Sequence, residues 1–151
     1  MRVLFLDIDG VLNRTGFQPP ETVGLRSWIE PELAARLCEV ARETDAQLVL
    51  ASDWRLHSEL AELREELRAA GIDISLIGMT PELAGQPRWR EVEAWMVEHG
   101  LDRDAVVILD DKYDMGPLTT RWVQVSPASG LDDQAVQRIR QLFELREQAA
   151  S

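Results

Sequence analysis

Cysteine is nearly missing from this chain: Cys38 is the single one in 151 residues, and histidine occurs only as His57 and His99. A lone cysteine excludes an intramolecular disulfide and a cysteine-built zinc cage, and it suits a reducing, cytoplasmic setting. The two histidines lie in different elements without ligand spacing, so they read as surface or capping residues. Basic residues are in the minority, 16 Lys and Arg against 27 Asp and Glu, for a net charge of −11. That balance opposes nonspecific attraction to nucleic-acid backbones and to anionic membranes. No apolar run approaches the ~20 residues of a membrane-spanning helix. The first apolar segment starts at Arg2, which leaves no room for a charged leader ahead of an export sequence. Repeats, low-complexity tracts and linkers are absent, and the five tryptophans form no stacking series.

What is present is a chain 45% hydrophobic, long enough to bury a sizeable core as a single domain. Val3-Leu4-Phe5-Leu6 lacks polar alternation and predicts a central parallel strand over 2–6. Residues 13–30, with Gly16, Pro19, Pro20 and Gly24, read as an irregular excursion. A helix runs from Pro31 to Thr44, its stripe of Leu33, Ala34, Leu37, Val40 and Ala41 taking Cys38 into the core. Further strands are predicted over 47–51, 74–77, 105–109 and 122–125. Helices are predicted over 58–70, 88–99 and from Asp132 to about 147, with Gly71 and Gly100 closing two of them and the last residues fraying. Trp95 and Trp122 read as core, and Trp28 and Trp89 as residues flanking a crevice. Alternating strands and helices of this kind make a three-layer α/β/α sandwich, Rossmann-like, with a five-stranded, mainly parallel sheet and ligands at the carboxyl ends of its strands.

Polar residues gather at those ends: Asp7 and Asp9 after the first strand, Ser52 and Asp53 after the second, Asp110, Asp111 and Asp114 after the fourth. Asp7 and Asp9 are two apart on a segment leaving a strand, so both side chains can face one region while Ile8 turns inward. Gly10 permits the tight departure. Carboxylates this close repel unless a divalent cation or shared proton compensates them, although a polar turn is the plain alternative.

The run Val3 through Val11, an apolar strand ending in Asp-x-Asp-Gly-Val, resembles the first motif of the haloacid dehalogenase (HAD) superfamily of phosphotransferases. The resemblance implies that Asp7 is a nucleophile forming an aspartyl-phosphate. Asp9 would protonate the leaving group, then activate water, and would meet the metal through its backbone carbonyl. Ser52, closing Leu48-Val49-Leu50-Ala51-Ser52, matches the second motif and would bind a phosphoryl oxygen, with Gly10 and Asp53 as further substrate-binding residues. Arg55 would grip substrate phosphate or stack on Trp54 as a surface residue. The third motif needs a basic residue. Arg88-x-x-Glu91-Val92-x-x-Trp95 resembles a small HAD group that includes domains associated with RNA-repair proteins and favours Arg88, with Arg90 in reserve. The fourth is an acidic pair, and Asp110-Asp111-Lys112-Tyr113-Asp114 offers several. Asp110 is the first choice for a side-chain metal ligand, Asp111 can exchange roles with it, and Asp114 would bind metal-bound water or orient Arg88. Oxygen donors without nearby His or Cys favour Mg2+ over zinc.

These motifs imply a Mg2+-dependent phosphatase cleaving a phosphate monoester. Short intervals between motifs imply a capless member with an open crevice, unless a partner copy supplies a lid. Such a crevice suits a phosphorylated substrate, small or macromolecular. A nucleotide or polynucleotide end fits the RNA-repair resemblance but gains nothing from the net charge. The alternative is a catalytically silent HAD-like binding module. A receiver-type phosphorylation switch is disfavoured, because the Asp-x-Asp comes after the first strand and no phosphoacceptor Asp is placed after a mid-chain strand with a later Lys.

Overall fold

A computed structural model describes residues 1–111 and 114–150, with side chains up to residue 144. Lys112 and Tyr113 of the acidic segment lie outside the described residues, as does Ser151 at the end expected to fray. Five strands, β1 (Arg2–Leu6), β2 (Ala46–Leu50), β3 (Leu76–Met79), β4 (Val106–Asp110) and β5 (Trp122–Gln124), form one sheet in the order β3-β2-β1-β4-β5. Every pairing is parallel. The helices are α1 (Pro31–Thr44), α2 (Leu60–Ala69), α3 (Arg88–Glu98) and α4 (Asp133–Ala150).

Burial on both faces explains why β1 shows no alternation. Leu4 and Leu6 join one core with Leu33 and Leu37 of α1, Leu63 and Leu67 of α2, and Ile139 and Phe143 of α4. Val3 and Phe5 join the opposite core with Val92, Trp95 and Met96 of α3. Two dry faces favour a continuous apolar strand. Chain reversal between β3 and β4 carries α3 across the sheet and leaves β1 and β4 adjacent although their neighbours run outward in opposite directions. That is the switch point at which open α/β sheets hold ligands.

Several boundaries depart from expectation by one or two residues, those of β3, α2 and β4 among them. β3 begins at Leu76 rather than residue 74, because the register with β2 shifts between Leu48 and Val49 and pairs Gly78 and Met79 instead. Gly78 belongs in the strand because a Cβ there would lie 2.9 Å from Trp95 Nε1. α2 begins two residues later than 58, since a 3-10 turn over Asp53–His57 takes up the chain leaving β2. Asp110 closes β4 rather than lying beyond it. Gly71 and Gly100 adopt left-handed φ values of 90° and 64° after α2 and α3, and Asp132 caps α4 by accepting from Ala135 N–H at 2.9 Å. Among the described residues no helix is long and apolar enough to cross a membrane.

Candidate active site

Asp7 and Asp110 meet at the switch point because their strands are in register, Leu6 opposite Leu109, and Asp7 N–H donates to Leu109 O at 3.0 Å. Asp7 is 6% exposed and Asp110 1%. With Asp111 they make a group whose carboxylate oxygens lie within 4.8 Å of one another. Burial, then the charge of Asp110, push the Asp7 carboxyl up to about 8; the Ile8 N–H and Arg88 pull it down, and Asp111 pushes it up further.

The group suits a hard divalent cation. All three donors are carboxylates. Asp111 Oδ1 is buried with no hydrogen-bond partner among the described residues. Gly10 lets Asp111 close on the β1 loop: with φ at 84°, a Cβ there would stand 2.5 Å from Asp111 Oδ2.

Asp9 lies outside this group, exposed, and its Oδ1 accepts from Asn13 Nδ2 at 3.0 Å. Asn13 is buried. Its Oδ1 accepts from Gly10 N–H at 3.1 Å, and its Nδ2 also donates to Trp28 O at 2.9 Å. This amide fixes Asp9 without giving it a formal counter-charge. Sequence reasoning missed Asn13; the one signal for it was an Asn four residues after Asp9 in a glycine-containing turn.

Arg88 opens α3, is buried, and acts on the Asp7 charge. Its Nη2 donates to Asp53 Oδ1 at 3.2 Å. Asp53, expected from the sequence to be a substrate ligand, is exposed and pairs with Arg88, with Arg55 Nη1 at 3.7 Å from the same oxygen. The expectation for Arg55 is corrected. It neither lies on the surface nor presents its donors outward: Nε donates to Thr80 O, Nη1 to Ser52 O and Nη2 to Glu91 Oε2, at 2.9, 2.9 and 2.8 Å. Burial at 6% exposure demands such partners, and they tie the β2 turn to α3. Arg90 points elsewhere, its guanidinium 4.5 Å from the Trp89 ring centre and Nη1 3.6 Å from Glu93; of the two arginines, Arg88 is the one buried beside Asp7.

Ser52 lies at the end of β2, 1% exposed, and its Oγ accepts from Trp54 N–H at 3.3 Å, capping the 3-10 turn. A hydroxyl that accepts one bond can still donate another. Asp114 is outside the three-carboxylate group; it is exposed and its Oδ1 accepts from Gly116 N–H at 2.8 Å.

Two clefts flank the carboxylates. One of about 440 Å³ is lined by Asp53, Leu56, Leu83, Arg88 and Asp114. The other, about 290 Å³, is lined by Asp9, Asn13, Phe17, Trp28, Asp111 and Pro127. Trp28 thus flanks the crevice, whereas Trp89 packs against the α3-side core. A third cleft of about 450 Å³, among Arg64, Arg68 and Ile74, sits at the opposite end of β3 and holds none of these groups.

The family model described as "HAD domain in Swiss Army Knife RNA repair proteins" matches residues 3–136, which include every residue named in this site. No curated protein matches the chain.

Proposed function

Because this chain belongs to the family of HAD domains in Swiss Army Knife RNA repair proteins, we propose that it is a Mg2+-dependent phosphohydrolase that cleaves a phosphate monoester through a phosphorylated Asp7. The observation that carries the reading is the group of buried Asp7 and Asp110 with half-buried Asp111 beside Arg88, with Asp9 held outside it by Asn13. Asp7 attacks phosphorus, the ester P–O bond breaks, and the departing oxygen takes its proton from Asp9. Asp9 then accepts a proton from water as that water attacks the aspartyl-phosphate, releasing inorganic phosphate and restoring Asp7. Arg88 offsets the negative charge of nucleophile and phosphoryl group, and Ser52 donates its hydroxyl to a phosphoryl oxygen. Asp7, Asp110 and Asp111 would hold a Mg2+ ion, whose positive charge would keep Asp7 ionised beside an anionic ester.

The family's description makes a nucleotide or polynucleotide end the first substrate class to assay, although a net charge of −11 lends no long-range attraction to it. Purified protein is expected to hydrolyse p-nitrophenyl phosphate with Mg2+ and to stop in EDTA. Asp7→Asn is expected to lose at least a thousandfold in kcat while keeping its circular dichroism spectrum. Near-normal turnover by that variant removes Asp7 as nucleophile, and inertness towards nucleotides, oligonucleotide ends, sugar phosphates and phosphopeptides favours a silent binding module.

A further inference from the structure

Asp9 and Arg88 line different clefts: Asp9 the smaller one, Arg88 the larger. On the phosphatase reading, on which this inference rests, the departing oxygen must come within reach of Asp9, so the departing group lies on the Asp9 side. We propose that the smaller cleft is the leaving-group subsite and that Phe17 and Trp28 select a neutral alcohol bearing a planar aromatic ring, a nucleoside.

Charge argues for a neutral occupant. The cleft is lined by the carboxylates Asp9 and Asp111, and Arg14, the one basic residue among its described lining residues, is held by Glu30 and Glu32 at 2.9 Å each. A phosphodiester backbone entering here meets two carboxylates and an arginine already neutralised. A ring meets Phe17 and Trp28, both half-buried, and base-on-aromatic stacking is tolerant of base identity. At about 290 Å³ the space suits one nucleoside rather than a run of them.

The walls are tied in place by hydrogen bonds, and one anchor among them, Asn13, also orients the proton donor. Arg14 N–H donates to Glu30 Oε2 at 2.6 Å and its Nε to Ser129 O at 3.2 Å. Thr15 N–H donates to Pro127 O at 2.8 Å, and Phe17 N–H to Arg14 O at 3.0 Å. Trp28 O and Asp9 Oδ1 accept from the same Asn13 Nδ2, so the aromatic wall and the acid share one anchor. When the P–O bond breaks, its electron pair stays with the nucleoside oxygen, the Asp9 proton completes the hydroxyl, and the product leaves uncharged.

The experiment compares kcat/KM for nucleoside monophosphates with that for glycerol phosphate, in wild type, Phe17→Ala, Trp28→Ala and Leu56→Ala. Each aromatic deletion is expected to lower the ratio on the order of tenfold. An unchanged ratio in both, or a drop in Leu56→Ala with none in Phe17→Ala, overturns the subsite but leaves the phosphatase reading intact. Calorimetric titration with adenosine, guanosine, cytidine and uridine needs no turnover. At least one is expected to bind wild type and Asp7→Asn alike and to bind Phe17→Ala about tenfold more weakly. If no phosphate ester is turned over, the phosphatase reading fails on its own while this titration still decides the subsite; if no nucleoside binds, the subsite is wrong.

Discussion

Asn13 joins three groups through one amide: it accepts from Gly10 N–H and donates to Asp9 Oδ1 and Trp28 O. Replacing it with Asp removes both donations and sets a like charge against Asp9. Asn13→Asp is therefore expected to lower kcat on the order of a hundredfold for glycerol phosphate and much less for p-nitrophenyl phosphate, whose good leaving group needs little protonation. Parallel assays of the two esters check this, and equal losses would mean simple damage to the fold. Gly10→Ala acts on the neighbouring carboxylate. A left-handed φ of 84° and a Cβ placed 2.5 Å from Asp111 Oδ2 predict a stability loss of about 1–2 kcal/mol and a Mg2+ affinity weakened at least tenfold, read by urea melts and calorimetry. Asp7, Asp9 and Asp110 were legible because an unbroken apolar strand marks its own polar end. Asn13 was not, since its partners come together only when the loop folds back past Trp28.

Glu91, in the first turn of α3, acts between elements: its Oε2 accepts from Arg55 Nη2 at 2.8 Å and from Leu83 N–H at 2.9 Å, while its Oε1 lies 4.0 Å from Arg88 Nε. It binds the turn after β2, the loop before α3 and the basic residue of the site into one unit. Glu91→Ala removes the buried carboxylate that Arg55 pairs with and leaves it only the exposed Asp53, 3.7 Å away, so the expected cost is about 3 kcal/mol in urea denaturation. Glu91→Gln keeps an acceptor for Leu83 N–H and is expected to cost less; equal losses in the two variants would show that charge is not what matters. The pattern Arg88-x-x-Glu91 was visible in the sequence, but its meaning for Arg55 was not. Whether an arginine after a strand is solvated or enclosed depends on an acid in a different helix. The need for glycine at 78 in β3 has a similar origin, because a Cβ there would meet the Trp95 indole on α3.

The molecule as a whole is acidic, and folding concentrates three of its carboxylates at one point, where Asp7 makes its stability respond to pH. Asp7 ionises near 3.8 in the unfolded chain and near pH 8 when folded, owing to burial and then Asp110. Below the lower value both states carry the proton and the contribution to stability is fully present. Between the two values the unfolded chain has released its proton and the folded chain has not, so this contribution is lost as pH rises towards 8. Metal-free protein is therefore expected to melt at a falling temperature from pH 5 to pH 8. Asp7→Asn, which has nothing to ionise there, is expected to show a shallower fall and to melt on the order of 5 °C above wild type at pH 8 in EDTA. A cation bound by these carboxylates favours their ionised forms, so Mg2+ is expected to raise the wild-type melting temperature more at pH 8 than at pH 6. The acids themselves stand out in the sequence, but their coupling does not, since it needs β1 and β4 side by side, in register, with both faces of the sheet dry. A Mg2+ shift that is equal at the two pH values, or equally large in Asp7→Asn, would show that the ion binds elsewhere on the acidic surface and that Asp7 keeps its burial penalty in its presence.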